Sequence, residues 1–95
     1  MSVFKNSSMT VFTSEGQWEL PCEVRLGNSS IAVSYRDDGE LVLYDGPEIE
    51  AGHFKLQTKA ASGRATLHRF SDDDILEGYW IEDGYEGMWR IQIDD

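Results

Sequence analysis

Apolar and polar residues alternate with a period of two along most of this chain, and the 3.6-residue spacing of a helix face appears nowhere. The clearest stretch is 17–26. Trp18, Leu20, Cys22, Val24 and Leu26 share one face, while Gln17, Glu19, Glu23 and Arg25 share the other. Such a strand has one side in a core and one in water, and Pro21 on its polar face marks an edge or a bulge because proline cannot donate to a ladder. In 8–13 the pattern sets Met9 and Val11 against Thr10 and Phe12, and in 30–35 it turns Ile31, Val33 and Tyr35 inward. Residues 41–44 are apolar on both faces. Phe54 and Leu56 lead 53–58, and Ala65 and Leu67 lead 64–70.

Turn residues punctuate these runs about every ten positions: Glu15-Gly16, Gly27-Asn28, Asp37-Asp38-Gly39, Asp45-Gly46-Pro47, Ser62-Gly63 and Asp83-Gly84. Asp-Gly between apolar runs is a hairpin signal, since a two-residue turn of the right twist needs positive φ. The rhythm predicts an all-β protein of seven or eight strands, either a small up-and-down antiparallel barrel or a β-sandwich. The barrel is the more economical expectation, because closure removes the exposed edges along which sheets aggregate. The chain is one domain over 1–95, with 1–7 expected to be flexible.

The last strands carry a repeated unit, Glu77-Gly78-Tyr79-Trp80 and Glu86-Gly87-Met88-Trp89, with Asp83-Gly84 between the copies. Each Gly lies two positions before a Trp and so on the same face, leaving room for a neighbouring indole or backbone. This Gly78-x-Trp80, turn, Gly87-x-Trp89 pattern resembles the barrel hairpins of the calycin group, the avidin-like and lipocalin-like small barrels. The resemblance covers about eighteen residues plus the strand rhythm, and it implies an up-and-down meander around an apolar cup. In those families the signature strand lies near the N-terminus, so no ligand contact carries over by position.

Composition changes the picture in two ways. Three Trp, four Tyr and four Phe in 95 residues make a packed core plausible, although a formal charge of −10 also occurs in disordered chains; the regular alternation speaks for folding. That charge argues against a nucleic-acid partner, which requires a positive footprint. No apolar run is long enough for a membrane helix, and no h-region opens the chain. The single Cys22 has no internal disulfide partner. A cytoplasmic, reducing setting is therefore expected.

The charges are laid out in blocks. Residues 37–50 hold six acids and no base, residues 51–70 hold Lys55, Lys59, Arg64 and Arg69 with no acid, and residues 71–95 hold nine acids and Arg90. Cross-strand pairing of a basic hairpin with acidic neighbours is the plain explanation. The functional alternative is an anion or partner patch at Lys55, Arg64 and His68.

No phosphate loop, dinucleotide fingerprint, nucleophile elbow or paired-cysteine motif is present. His53 and His68 fall on strands that should pair if the hairpin turns near Ala61-Ser62, which would bring two imidazoles together without an evident third metal ligand. Asp72-Asp73-Asp74 reads as a solvated loop rather than a cation site. Cys22 reads as a small core hydrophobe. No cofactor, metal or catalytic set is expected. The chain thus reads as a binding module without catalysis, its cup lined by Trp18, Tyr35, Trp80 and Trp89 around a small apolar or aromatic ligand. Packing of the same tryptophans in a closed core competes with that reading. The alternative class is an acidic protein-interaction, inhibitor or immunity-type domain that meets a basic protein partner. Either form could be a homodimer, since the two-faced apolar strands need a cover: the segment around Val3-Phe4, or a second copy.

Overall fold

The computed structural model describes residues 2–58 and 62–95. Eight strands follow in order: β1 (Ser2–Thr13), β2 (Gly16–Gly27), β3 (Ser30–Asp37), β4 (Glu40–Glu50), β5 (His53–Gln57), β6 (Arg64–His68), β7 (Ile75–Glu82) and β8 (Tyr85–Gln92). Each pairs antiparallel with the next, and β1 pairs with β8 to close the barrel. The expected barrel is what forms, and the sandwich is excluded. No helix long and apolar enough to cross a membrane occurs among the described residues.

Alternation places the core as the sequence predicts. Met9, Val11, Val24, Ile31, Val33, Leu56, Leu67, Leu76 and Ile91 all point inward and are buried. The hairpin turns have the chemistry their residues imply: Asn28-Ser29, Asp38-Gly39 and Asp83-Gly84 all have positive φ at both positions, as type I′ turns require. In the Gly-x-Trp hairpin, Trp80 stands opposite Gly87 and Trp89 opposite Gly78. A Cβ at Gly87 would overlap the Phe12 carbonyl oxygen on β1 and crowd the Trp80 indole, and one at Gly78 would overlap the Thr66 carbonyl oxygen on β6. Both glycines therefore let two backbones approach, β8 to β1 and β7 to β6, and Gly87 also seats the Trp80 ring.

Four features depart from the sequence expectation or refine it. Asp45-Gly46-Pro47 does not end a strand. β4 runs on to Glu50 because Gly46 and Pro47 remain paired with Ile31 and Ser30 of β3, and Glu48 N donates to Ser29 O at 2.8 Å. Second, Ser2–Ser7 are the first half of β1, held to β2 through Phe4–Val24 and Ser7–Cys22 pairing with a register shift between them. The buried Ser7 hydroxyl ties this half to the other chain end: it accepts from Asp94 N at 3.0 Å and lies 3.1 Å from Phe4 O. Third, Val3 and Phe4 lie in β1 between β2 and β8 and do not cover the outer face of β4, where Leu41 and Leu43 stay exposed. Fourth, Trp18 keeps its place on the inward-facing side of β2 but is 53 % exposed. It sits past the point where the barrel wall closes around the core. Lys59 and Ala61, singled out above for the basic hairpin and its turn, lie outside the described residues.

Candidate functional site: an aromatic mouth

The antiparallel order sorts the connections into two ends. The β1–β2, β3–β4 and β7–β8 turns share one end with the flanks of the β5–β6 connection, where Thr58 N donates to Gly63 O at 3.0 Å. The β2–β3, β4–β5 and β6–β7 connections share the other with both chain ends. At that second end the interior is filled by aliphatic side chains with Phe54 and the partly buried Phe4. The first end is different.

There the wall is notched. β2 and β3 pair from Gly27–Ser30 only as far as Glu23–Ser34; beyond that, Gly16–Cys22 pairs with β1 alone, and Tyr35–Asp37 with β4 alone. Pro21 lies in this unpaired reach of β2, where its missing N–H costs no inter-strand bond. The edge inferred from Pro21 is thus real, but local to the mouth of an otherwise closed barrel. Through the notch opens a cavity of about 300 Å³ lined by Trp18 and Leu20 on one side, Tyr35, Arg36 and Asp37 on the other, and Val11, Trp80, Glu82 and Trp89 at its back. All four aromatic residues assigned to a cup from the sequence border this one space. Trp80 and Trp89 are also core residues, at 9 % and 3 % exposure, whereas Trp18 is not. A wider depression of about 1210 Å³ adjoins it between the β1–β2 and β7–β8 turns, sharing Trp18, Trp80 and Glu82 with it and bordered further by Phe12, Tyr79, Tyr85 and Met88.

The rings at the back stand edge to face. The Tyr35 and Trp89 centroids are 6.2 Å apart at 82°, and those of Tyr44 and Trp89 are 4.9 Å apart at 87°. Two buried polar atoms here have no hydrogen-bond partner, Trp80 Nε1 and Tyr44 Oη. Interior polar groups are nearly always paired, so both are conspicuous. Glu82 is half-buried at the rim. Burial pushes its carboxyl above the ordinary range, and the charges of Asp83 and Asp37 push it further. The Tyr44 hydroxyl is near enough to favour the ionised form of Glu82 yet makes no hydrogen bond of ordinary geometry with it. The Tyr35 and Tyr44 phenols are both raised, first by burial and then by neighbouring negative charge, and stay neutral at any physiological pH.

The other sequence candidates lie elsewhere. His53 and His68 are direct cross-strand partners, as the hairpin geometry predicts, with Nδ1 atoms 2.6 Å apart on the outer face. The next partners outward are Glu50, opposite His53, and Glu77, opposite His68. No group of three possible metal ligands forms among the described residues. Lys55, Arg64 and His68 share the outer face of β5 and β6, opposite Thr66, Gln57 and His53 respectively. The expected pairing of this basic hairpin with acidic strands is not made through ion pairs: within the described residues the one ion pair under 4.0 Å is Arg25 Nε to Glu23 Oε2 at 2.9 Å, within β2. Cys22 is buried, its thiol pushed up to about 12 by desolvation, and behaves as a hydrophobe. The sequence reading missed Glu82 and Asp37 as site residues. Both belong to turn-flanking positions that read as solvated, and only the register places them on the cavity.

Compared with protein-family models, curated proteins and solved structures, the chain matches none. The structure shows a small closed eight-stranded antiparallel barrel, and no match supports the calycin resemblance beyond that.

Proposed function

We propose that this barrel is a non-catalytic binding module that holds a small ligand with an aromatic or apolar body in its notched mouth. The observation that carries this reading is the convergence of Trp18, Tyr35, Trp80 and Trp89 on one cavity reached through a gap in the wall. Ligand sites are typically concave, mostly apolar, and furnished with a few polar groups that set orientation. About 300 Å³ is at the small end of that range and suits a single ring or a branched fragment of like size. Tyr35, Asp37 and Glu82 on its border are polar groups available to orient a ligand. Trp18, ordered on a strand yet half in water, is the side chain that binding would cover.

Native mass spectrometry of freshly purified protein tests this directly. The expected result is extra mass that disappears on unfolding and is absent from Trp18→Ala. Bare protein, with Trp fluorescence that does not respond to small aromatic compounds at millimolar concentration, would remove the reading.

A second reading has its own support, the exposed Leu41 and Leu43 on β4 in a strand otherwise rich in acids. An acidic interaction domain that captures a basic protein partner would use this face. Its signature is capture that weakens steeply as salt rises, which occupation of the aromatic mouth by a neutral ligand does not do.

A further inference from the structure

We propose that the ligand of the mouth carries an alkylated ammonium head, held between the aromatic walls and the carboxylates of Glu82 and Asp37. This rests on the mouth being the ligand site and adds the chemical class that it selects.

Three observations point the same way. The first is charge. Glu82 and Asp37 both border the cavity, Asp38 and Asp83 stand in the adjoining turns, and Glu40 opens β4 opposite Asp37. Against these five the cavity border holds one cation, Arg36, and its guanidinium is exposed and occupied in donating to Gly39 O at 3.1 Å. Neither Glu82 nor Asp37 has an ion-pair partner within 4.0 Å among the described residues. A carboxylate withdrawn from water beside other acids gains most from a cation brought to it.

The second is the wall. A cation over the face of Trp or Tyr is attracted by the ring quadrupole, more strongly once water is excluded, and Trp is the best of these surfaces. Three Trp and one Tyr border the space, and the near-perpendicular setting of Tyr35 on Trp89 makes it a corner rather than a stacking slot. A corner wraps a tetrahedral head; a slot would take a flat ring.

The third is the apolar share of the lining: Val11, Trp18, Leu20, Trp80 and Trp89 offer no side-chain acceptor. A primary ammonium needs three acceptors for its N–H bonds and gives up strong hydration on entering. Alkyl groups on nitrogen remove those demands and present C–H surface to the rings. The same cavity is inhospitable to an anion, which would face Glu82 and Asp37 directly.

The test compares choline with its neutral isostere 3,3-dimethylbutan-1-ol on the intact protein, following the Trp indole N–H resonances by NMR and the heat by calorimetry. Choline is expected to bind at least about tenfold more tightly, and the preference should shrink to about threefold or less in Glu82→Gln. Amide dispersion of that variant shows that it is folded. Equal binding of the two compounds would overturn the cation assignment while leaving an aromatic ligand site standing. A preference for choline that Glu82→Gln leaves untouched would overturn the part given to the Glu82 carboxylate. Failure of both compounds to move any Trp resonance would also overturn the cation assignment, and with a bare native mass spectrum it would take the ligand site as well.

Discussion

At the scale of single residues, the mouth and the core make opposite demands on chemically identical side chains. Trp89 is 3 % exposed and packs edge to face with Tyr35 and Tyr44, so Trp89→Ala should cost about 3–5 kcal/mol by urea denaturation. Trp18 touches the same cavity from outside the closed wall. Trp18→Ala should cost about 0.5 kcal/mol or less, yet abolish any ligand-dependent shift in Trp80 or Trp89 fluorescence. Equal destabilisation by the two substitutions would show that Trp18 is core. Glu82 provides a check on electrostatics. Its pKa is raised in the fold, so the folded chain holds that proton more tightly than the unfolded one. Stability from this group is therefore present below the ordinary carboxylate range and is lost as pH rises through its folded value. Glu82→Gln should flatten this part of the pH profile and raise the thermal midpoint at neutral pH, read by circular dichroism melts from pH 4 to 8. A variant less stable than the parent at pH 7 would mean that Glu82 is held by a partner the static structure does not reveal. Ser7 is the buried hydroxyl at the opposite end; Ser7→Ala should cost about 1–2 kcal/mol, because Asp94 N then loses its acceptor.

At the scale of elements, what decides fold here is local and therefore visible in the sequence. Alternation in 17–26 and 30–35 tells inward from outward residues, and Asn28-Ser29, Asp38-Gly39 and Asp83-Gly84 can adopt the paired positive-φ turns that fix hairpin register. The Gly-x-Trp hairpin belongs to this legible part. Gly78→Ala should destabilise the barrel by about 1–3 kcal/mol, since the added methyl meets the Thr66 carbonyl oxygen rather than a movable side chain. Unchanged stability in urea would show that β6 and β7 can separate at no cost. Other features depend on which residue stands opposite which across the barrel, and period-two patterning is blind to that. Asp45-Gly46-Pro47 has every local mark of a turn, yet β3 holds it extended on one side. The notch is of the same kind. Nothing near Cys22 or Tyr35 announces that β2 and β3 part there, apart from Pro21, which shows that one N–H goes unneeded without showing where the neighbouring strand has gone. The four aromatic cup residues could be named from the sequence because they alternate inward; their acidic companions could not.

At the scale of the whole molecule, closing the ring joins β1 to β8, segments about eighty positions apart in the chain. The other seven pairings join sequence neighbours, but this one distant closure must meet its loop entropy before it is rewarded, so refolding should occupy milliseconds to seconds, as followed by stopped-flow Trp fluorescence. Microsecond refolding would mean that the hairpins, each local, carry the stability and closure adds little. The same topology gives the molecule a front and a back. Ser2, paired with Leu26, and Asp94, bonded to Ser7 and Asn6, both belong to the filled end, while the notch and its aromatic rim lie at the other. Anything tethered through either terminus, whether a sensor surface, a fluorescent fusion or a neighbouring domain, sits behind the barrel. The mouth then faces away from the tether, so the protein can be displayed by whichever end is convenient with its entrance unobstructed.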